Sequence, residues 1–143
     1  MRETSLYDYA VIRVVPSVER GECLNVGVIL YAPTRRFLGA LVHLDRERLH
    51  ALAPQLDFPA LQEQLDHFVQ VCYGKKNSGP VGQLSQSERF HWLVAPRSTI
   101  IQISAVHSGS CSYPEAELQS LLNKLVLVPK HQDASESDKA KTF

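Results

Sequence analysis

Between Arg20 and Arg36 the chain reads RGECLNVGVILYAPTRR, a Gly-Glu turn, an Asn-led apolar run and a closing Pro-Thr-Arg-Arg. The run NVGVILYA, Asn25 to Ala32, is almost wholly apolar, as a central strand covered on at least one face would be. Pro33 to Arg36 carries turn chemistry, and FLGALVHL, Phe37 to Leu44, resumes the apolar pattern, so the two runs are predicted to form a hairpin. Upstream, LYDYAVIRVV is rich in β-branched and aromatic residues and stops at Pro16, which disfavours helix in the residue before it. Three strands in a meander are expected.

Downstream the period changes to that of helices. Asp45 is placed to cap a short helix, RERLHALA, that ends near Pro54 and turns Leu49 and Leu52 inward. In PALQEQLDHFVQVC, Leu61, Leu65, Phe68, Val69 and Cys72 recur at helical spacing, with Pro59 in the first turn. GKKNSGPVG, Gly74 to Gly82, is full of breakers and predicts an exposed loop. Ser85 and Glu88 fit a capping box for a helix running through Phe90, Leu93 and Val94 until Pro96. TIIQISAVH, Thr99 to His107, reads as a fourth strand, placed beside the first. Pro114 opens a last helix with Leu118, Leu121, Leu122 and Leu125 as its stripe. The expected fold is α+β, two layers, an antiparallel sheet of about four strands with helices packed mainly on one face. One domain is expected over residues 1–128, and the polar stretch 129–143 is expected to be disordered.

The chain has 143 residues, the length of one ordinary domain, and its 15 Lys plus Arg balance 15 Asp plus Glu. No global field steers it towards nucleic acid or an anionic membrane, so any anion site must be local. Cys23, Cys72 and Cys111 form neither a CxxC pair nor an even secreted framework, which predicts reduced thiols and a cytoplasmic setting. No apolar run approaches the roughly 20 residues of a membrane span.

Two corners carry candidate chemistry. Arg97, Ser98 and Thr99 follow Pro96 at a passage from helix to strand, where a guanidinium and two hydroxyls suit a phosphate or carboxylate. The plain alternative is a capped helix end with Arg97 paired to Glu88 or Glu22. At the opening corner, Glu22 and Asn25 lie near Arg13, which shares a strand face with Tyr7, Tyr9 and Val11 while Ala10, Ile12 and Val14 point to the core. A buried Arg13 would need a carboxylate, and Glu22 is its first candidate partner. His107, before Ser108-Gly109, either joins Arg97 or is a hydrogen-bonded strand-end histidine. His43, His91 and His107 lack metal-ligand spacing, and no cofactor is expected. Cys23 with a histidine and Ser98 with His107 are the available nucleophile arrangements, but neither sits in a nucleophile elbow. Trp92 falls off the Phe90, Leu93, Val94 face, as a helix-edge packing residue or a contact anchor would. Lys75-Lys76 is too short for a nucleic-acid patch.

The opening corner, together with YDYAVIRVVP, RFHWLVAPRSTIIQISAVHSG and AELQSLLNKLVL, resembles the bacterial domain-of-unknown-function 3037 family over roughly Leu6 to Val128. The GE-x-x-NVGV and APRST blocks in combination carry the resemblance. It implies a small bacterial protein with no established activity, and it suggests as a partner a HipA-like kinase encoded beside some members. Position 23 looks more often aromatic in relatives, so a cysteine mechanism gains nothing from it. The leading expectation is a non-enzymatic interaction or accessory module whose corner of Arg13, Glu22, Asn25, Arg97, Ser98 and Thr99 recognises a protein partner or small anion. The alternative is a small hydrolase or nuclease-like enzyme using Glu22, Arg97 and His107. A shared concave pocket favours the enzyme, scattered side chains the module. The two corners are expected to meet, with Glu22 neutralising Arg13 or Arg97.

Overall fold

A computed structural model describes residues 3–97 and 99–128. The expectation for the stretch 129–143 lies outside them. The first three strands, β1 (Ser5–Val14), β2 (Leu24–Ala32) and β3 (Phe37–Val42), form the antiparallel meander that the apolar runs predict. Helices α1 (Arg46–Leu52), α2 (Phe58–Tyr73) and α3 (Gln86–Val94) follow. Each begins as its sequence dictates: Asp45 accepts from the Arg48 N–H, Asp57 from the Ala60 N–H, and Ser85 with Glu88 closes a reciprocal capping box. After α3 come β4 (Ile101–Ile103), β5 (His107–Cys111) and α4 (Pro114–Leu125).

The sheet runs β3-β2-β1-β4, with β5 also paired to β1. The fourth strand therefore lies beside the first, as expected, but it is split in two. Ser104 makes the break: its N–H donates to the Val11 carbonyl, while its hydroxyl accepts from the Val11 N–H in place of a ladder carbonyl. The ladder resumes at His107 and runs to Cys111, through the HSGSC stretch whose polarity and glycine disguise a strand.

The β2 run is apolar throughout because both its faces are covered and its alternation changes phase. Ile12 pairs with Gly27 but Arg13 with Asn25, so Val26 is an extra residue, a β-bulge. Leu24, Val26, Ile29 and Tyr31 pack towards α1, α2 and α3, whereas Val28, Leu30 and Ala32 pack towards α4. Only glycine fits at position 27, where a Cβ would lie 2.8 Å from the Leu41 carbonyl oxygen and 2.9 Å from side chains of Ile12 and Val42.

The fold is α+β with an antiparallel sheet. Helices α1–α3 occupy one face, burying Leu49, Leu61, Leu65, Phe68, Phe90 and Leu93 against Ile12, Val14 and Ile29. Helix α4 lies alone on the other, burying Leu118, Leu121 and Leu122 against Tyr7, Val28 and Leu30. Tyr73, the last residue of α2, reaches the edge strand β3, where its hydroxyl accepts from the Ala40 N–H and donates to the Ala40 carbonyl, each at 3.2 Å. One side chain thus closes the middle of an open edge.

Candidate functional site: the groove beside the end of α3

Pro96 cannot continue α3, so the chain turns out of the helix after Ala95 and brings Arg97 back over the last turn. The guanidinium caps that turn. Arg97 Nη1 donates to the carbonyls of Leu93 (2.7 Å) and Ala95 (3.0 Å), and Nη2 to that of Trp92 (3.0 Å). A cation at a helix C-terminus is favoured by the macrodipole as well as by these bonds. Its Cζ lies 4.9 Å from the centroid of the Trp92 ring and 5.1 Å from that of Phe68, so two aromatic faces hold the same cation. Burial pushes the Arg97 pKa down from its ordinary value, but an arginine stays charged at neutral pH.

Arg97 borders an open groove of about 530 Å³ between α2 and the segment entering β4. Helix α2 lines one side with Ala60, Glu63, Gln64 and His67, a stripe generated by steps of three and four residues. Arg97 and Thr99 line the other. Phe68 and Ile101, both part of the buried core, supply the apolar base. The Thr99 hydroxyl is spent on the backbone, donating to the Ile101 carbonyl at 2.8 Å. Ser98 lies outside the described residues.

The remaining candidates do not join this groove. Arg13 Nε donates to Asn25 Oδ1 at 3.2 Å, and Asn25 Nδ2 donates to the Leu125 carbonyl at 3.0 Å, so both residues serve the end of α4 on the opposite face of the sheet. His107 is exposed at the start of β5, its ring 5.4 Å from that of Tyr9, which packs on the α4 side. Glu22 pairs with Arg20 at 2.8 Å in the exposed corner before β2, and that hydrogen bond holds its carboxyl below the usual range. This corrects the expectation that Glu22 neutralises Arg13 or Arg97. Arg97 is held instead by backbone carbonyls and aromatic rings, and Arg13 by the Asn25 amide oxygen. A carboxylate two residues from an arginine in the same turn finds it with little chain ordering, which is why the local pair wins. Among the described residues no group of three His, Cys, Asp or Glu could hold a metal ion, and no helix is long and apolar enough to cross a membrane.

The groove residues Glu63, Gln64 and His67 were not among the expected site residues. They sit on the polar face of an amphipathic helix, which reads as solvated surface, and only the return of Arg97 over α3 turns that face into a wall. Trp92 carried the one usable signal, lying off the buried face of its helix.

A family model for a protein of unknown function, DUF3037, matches residues 9–126. The chain belongs to the DUF3037 family. The match runs from within β1 to just past the end of α4, and so includes the groove, both corners and both faces of the sheet. DUF3037 membership agrees with the resemblance carried by the two sequence blocks. No curated protein and no solved structure matches the chain.

Proposed function

We propose that the protein is a non-enzymatic interaction module of the bacterial cytoplasm that docks a partner in the groove lined by α2 and by Arg97, Thr99 and Ile101. The observation that carries this reading is dispersal. The groups that a hydrolase or nuclease would need to converge, Glu22, Arg97 and His107, are spread over an exposed corner, the α3 end and the opposite strand face. What remains in one place is a shallow groove with an apolar base and a polar rim, the composition of a recognition surface. Its arginine is fixed by three carbonyls and two rings, so it presents a preorganised contact. Three unpaired cysteines, two of them buried, support a reducing compartment.

The partner suggested by the family resemblance, a HipA-like kinase, is the first to test by calorimetric titration. Tagged protein carrying Glu63→Lys or Thr99→Lys should lose the partners that the unaltered chain retains from its native host, whereas Asn123→Lys on the exposed side of α4 should keep them. Equal capture by all three variants would remove the groove from recognition. Ester or phosphodiester hydrolysis by the purified protein, lost on Glu22→Gln, would replace the module with the enzyme.

A further inference from the structure

Arg97 is the one arginine or lysine lining the groove, and its partners there carry no full negative charge. It is half-buried, yet the one ion pair among the described residues joins Arg20 to Glu22, so none of their carboxylates lies within ion-pair distance of it. Three of its N–H groups are taken by carbonyls of the last turn of α3 and the residue after it, and its Nε carries no hydrogen bond among the described residues. Helix-end carbonyls supply partial charge only, so a desolvated guanidinium still gains from a full anion beside it.

Three further features restrict that anion. Phe68 and Ile101 lie at the base of the same groove, so the ligand carries an apolar group close to its charge. Glu63 lines the same groove without an ion-pair partner among the described residues, which penalises a dianion more than a monoanion. The groove is open, so a small free acid would stay largely hydrated, whereas a chain end enters it and leaves along it. An internal Asp or Glu carries its carboxylate on its own stem and offers no apolar branch at the same carbon. A chain's last residue has both.

Resting on the reading of the groove as a partner site, we propose that it receives the carboxyl terminus of a partner protein ending in an apolar residue. The α-carboxylate meets Arg97, and the last side chain covers Phe68 and Ile101. Glu63 and Gln64 face the peptide N–H and C=O groups that precede it.

The protein carries its own reporter, because Trp92 is the only tryptophan in the chain and stacks on Arg97. Trp92 emission of the full chain would be followed on titration with acetyl-Ala-Ala-Leu as free acid, with the same peptide as carboxamide, with an amidated acetyl-Ala-Asp-Ala, with acetyl-leucine and with inorganic phosphate. The free acid should give a saturable change, and the carboxamide should bind about tenfold or more weakly, the loss expected for one charge-assisted contact. The internal aspartate should behave as the carboxamide does, acetyl-leucine should bind more weakly than the longer acid, and phosphate should leave the emission unchanged. Arg97→Gln should abolish discrimination between acid and amide. Should that variant fold poorly, Glu63→Lys on the exposed helix face provides the second test, since it should let phosphate compete with the peptide. Indifference to the terminal carboxylate, preference for phosphate in the unaltered protein, or no response to any peptide would overturn the proposal. Partner capture that still depended on Glu63 and Thr99 would, in those cases, keep the partner reading while removing its carboxylate chemistry.

Discussion

On one face of the sheet, three helices bury Leu49, Leu61, Leu65, Phe90 and Leu93 in a continuous apolar layer, with a polar groove only at its margin. On the other, α4 lies alone over a smaller layer and is held near both ends by side-chain hydrogen bonds. Tyr7 donates its hydroxyl to Glu117 Oε2 at 2.6 Å in the first turns of α4, and Asn25 donates to the Leu125 carbonyl in its last. The difference explains why polar residues in similar sequence settings have different roles. Tyr7, Arg13 and Asn25 position a helix that has few neighbours, whereas Arg97 sits where helices already hold one another and its charge is left facing a groove. A half-buried arginine in a strand is therefore not by itself a site. The element behind it decides.

The largest test of this contrast is truncation of the two apolar layers. Leu65 is fully buried among three helices that constrain one another, while Leu122 belongs to one helix free to settle. Leu65→Ala should cost about 4 kcal/mol and Leu122→Ala about 2–3 kcal/mol, because partial collapse of the cavity recovers part of the loss. Urea unfolding followed by circular dichroism measures both. Equal costs would mean that α4 is as rigidly enclosed as α2.

The next effect belongs to the tie near the start of α4. Tyr7→Phe removes a bond to a carboxylate from a buried position and should cost about 2 kcal/mol at neutral pH. Burial, then the hydrogen bond to Glu117 and its charge, raises the Tyr7 pKa above the ordinary value of about 10. The folded protein thus holds this proton more tightly than the unfolded chain. Its contribution is complete below about pH 10 and is lost as pH rises from there towards the folded pKa. The stability gap between wild type and Tyr7→Phe should narrow above pH 10. A gap independent of pH would show that the hydroxyl does not hold the helix.

Much of this arrangement was legible from local pattern. Apolar runs set the meander, the spacing of Leu61, Leu65 and Phe68 set α2, and Ser85 with Glu88 set the start of α3, because each signal lies within a few residues. The bulge at Val26 was hidden, since an apolar run covered on both faces reads the same in either phase. The two-part fourth strand was hidden because one hydroxyl, Ser104, replaces a backbone acceptor. The groove was hidden for a different reason. Glu63 and His67 acquire a facing wall only from residues some thirty positions later, and helical periodicity carries no trace of that pairing.

Asn25→Ala tests the other end of α4 at a smaller scale. It unties Arg13 Nε and the Leu125 carbonyl, but both groups are only half-buried, so water can replace the amide. About 1 kcal/mol should be lost, with faster amide hydrogen exchange in the last turn of α4 and none of that change in α2 or α3. Exchange that quickened equally in all helices would mean that Asn25 supports the whole sheet.

The smallest effect should come from the opening corner itself. Cys23 is exposed there, whereas Cys72 and Cys111 are buried. Burial pushes the Cys72 thiol up to about 12 and also raises that of Cys111, so neither yields much thiolate near neutrality. Iodoacetamide at neutral pH should modify one equivalent rapidly, at Cys23, and the other two only as the fold opens. Cys23 borders Leu24, Arg48, Ala51 and Leu52, none of which lines the Arg97 groove, so the modified protein should keep its stability within about 0.5 kcal/mol and its Trp92 emission. Fast modification of a second thiol would show that one apolar layer opens locally. A change in Trp92 emission on modifying Cys23 would instead couple the corner beside α1 to the groove at the end of α3 on the same side of the sheet, and the contrast between a helix-holding face and a binding face would have to be redrawn around that link.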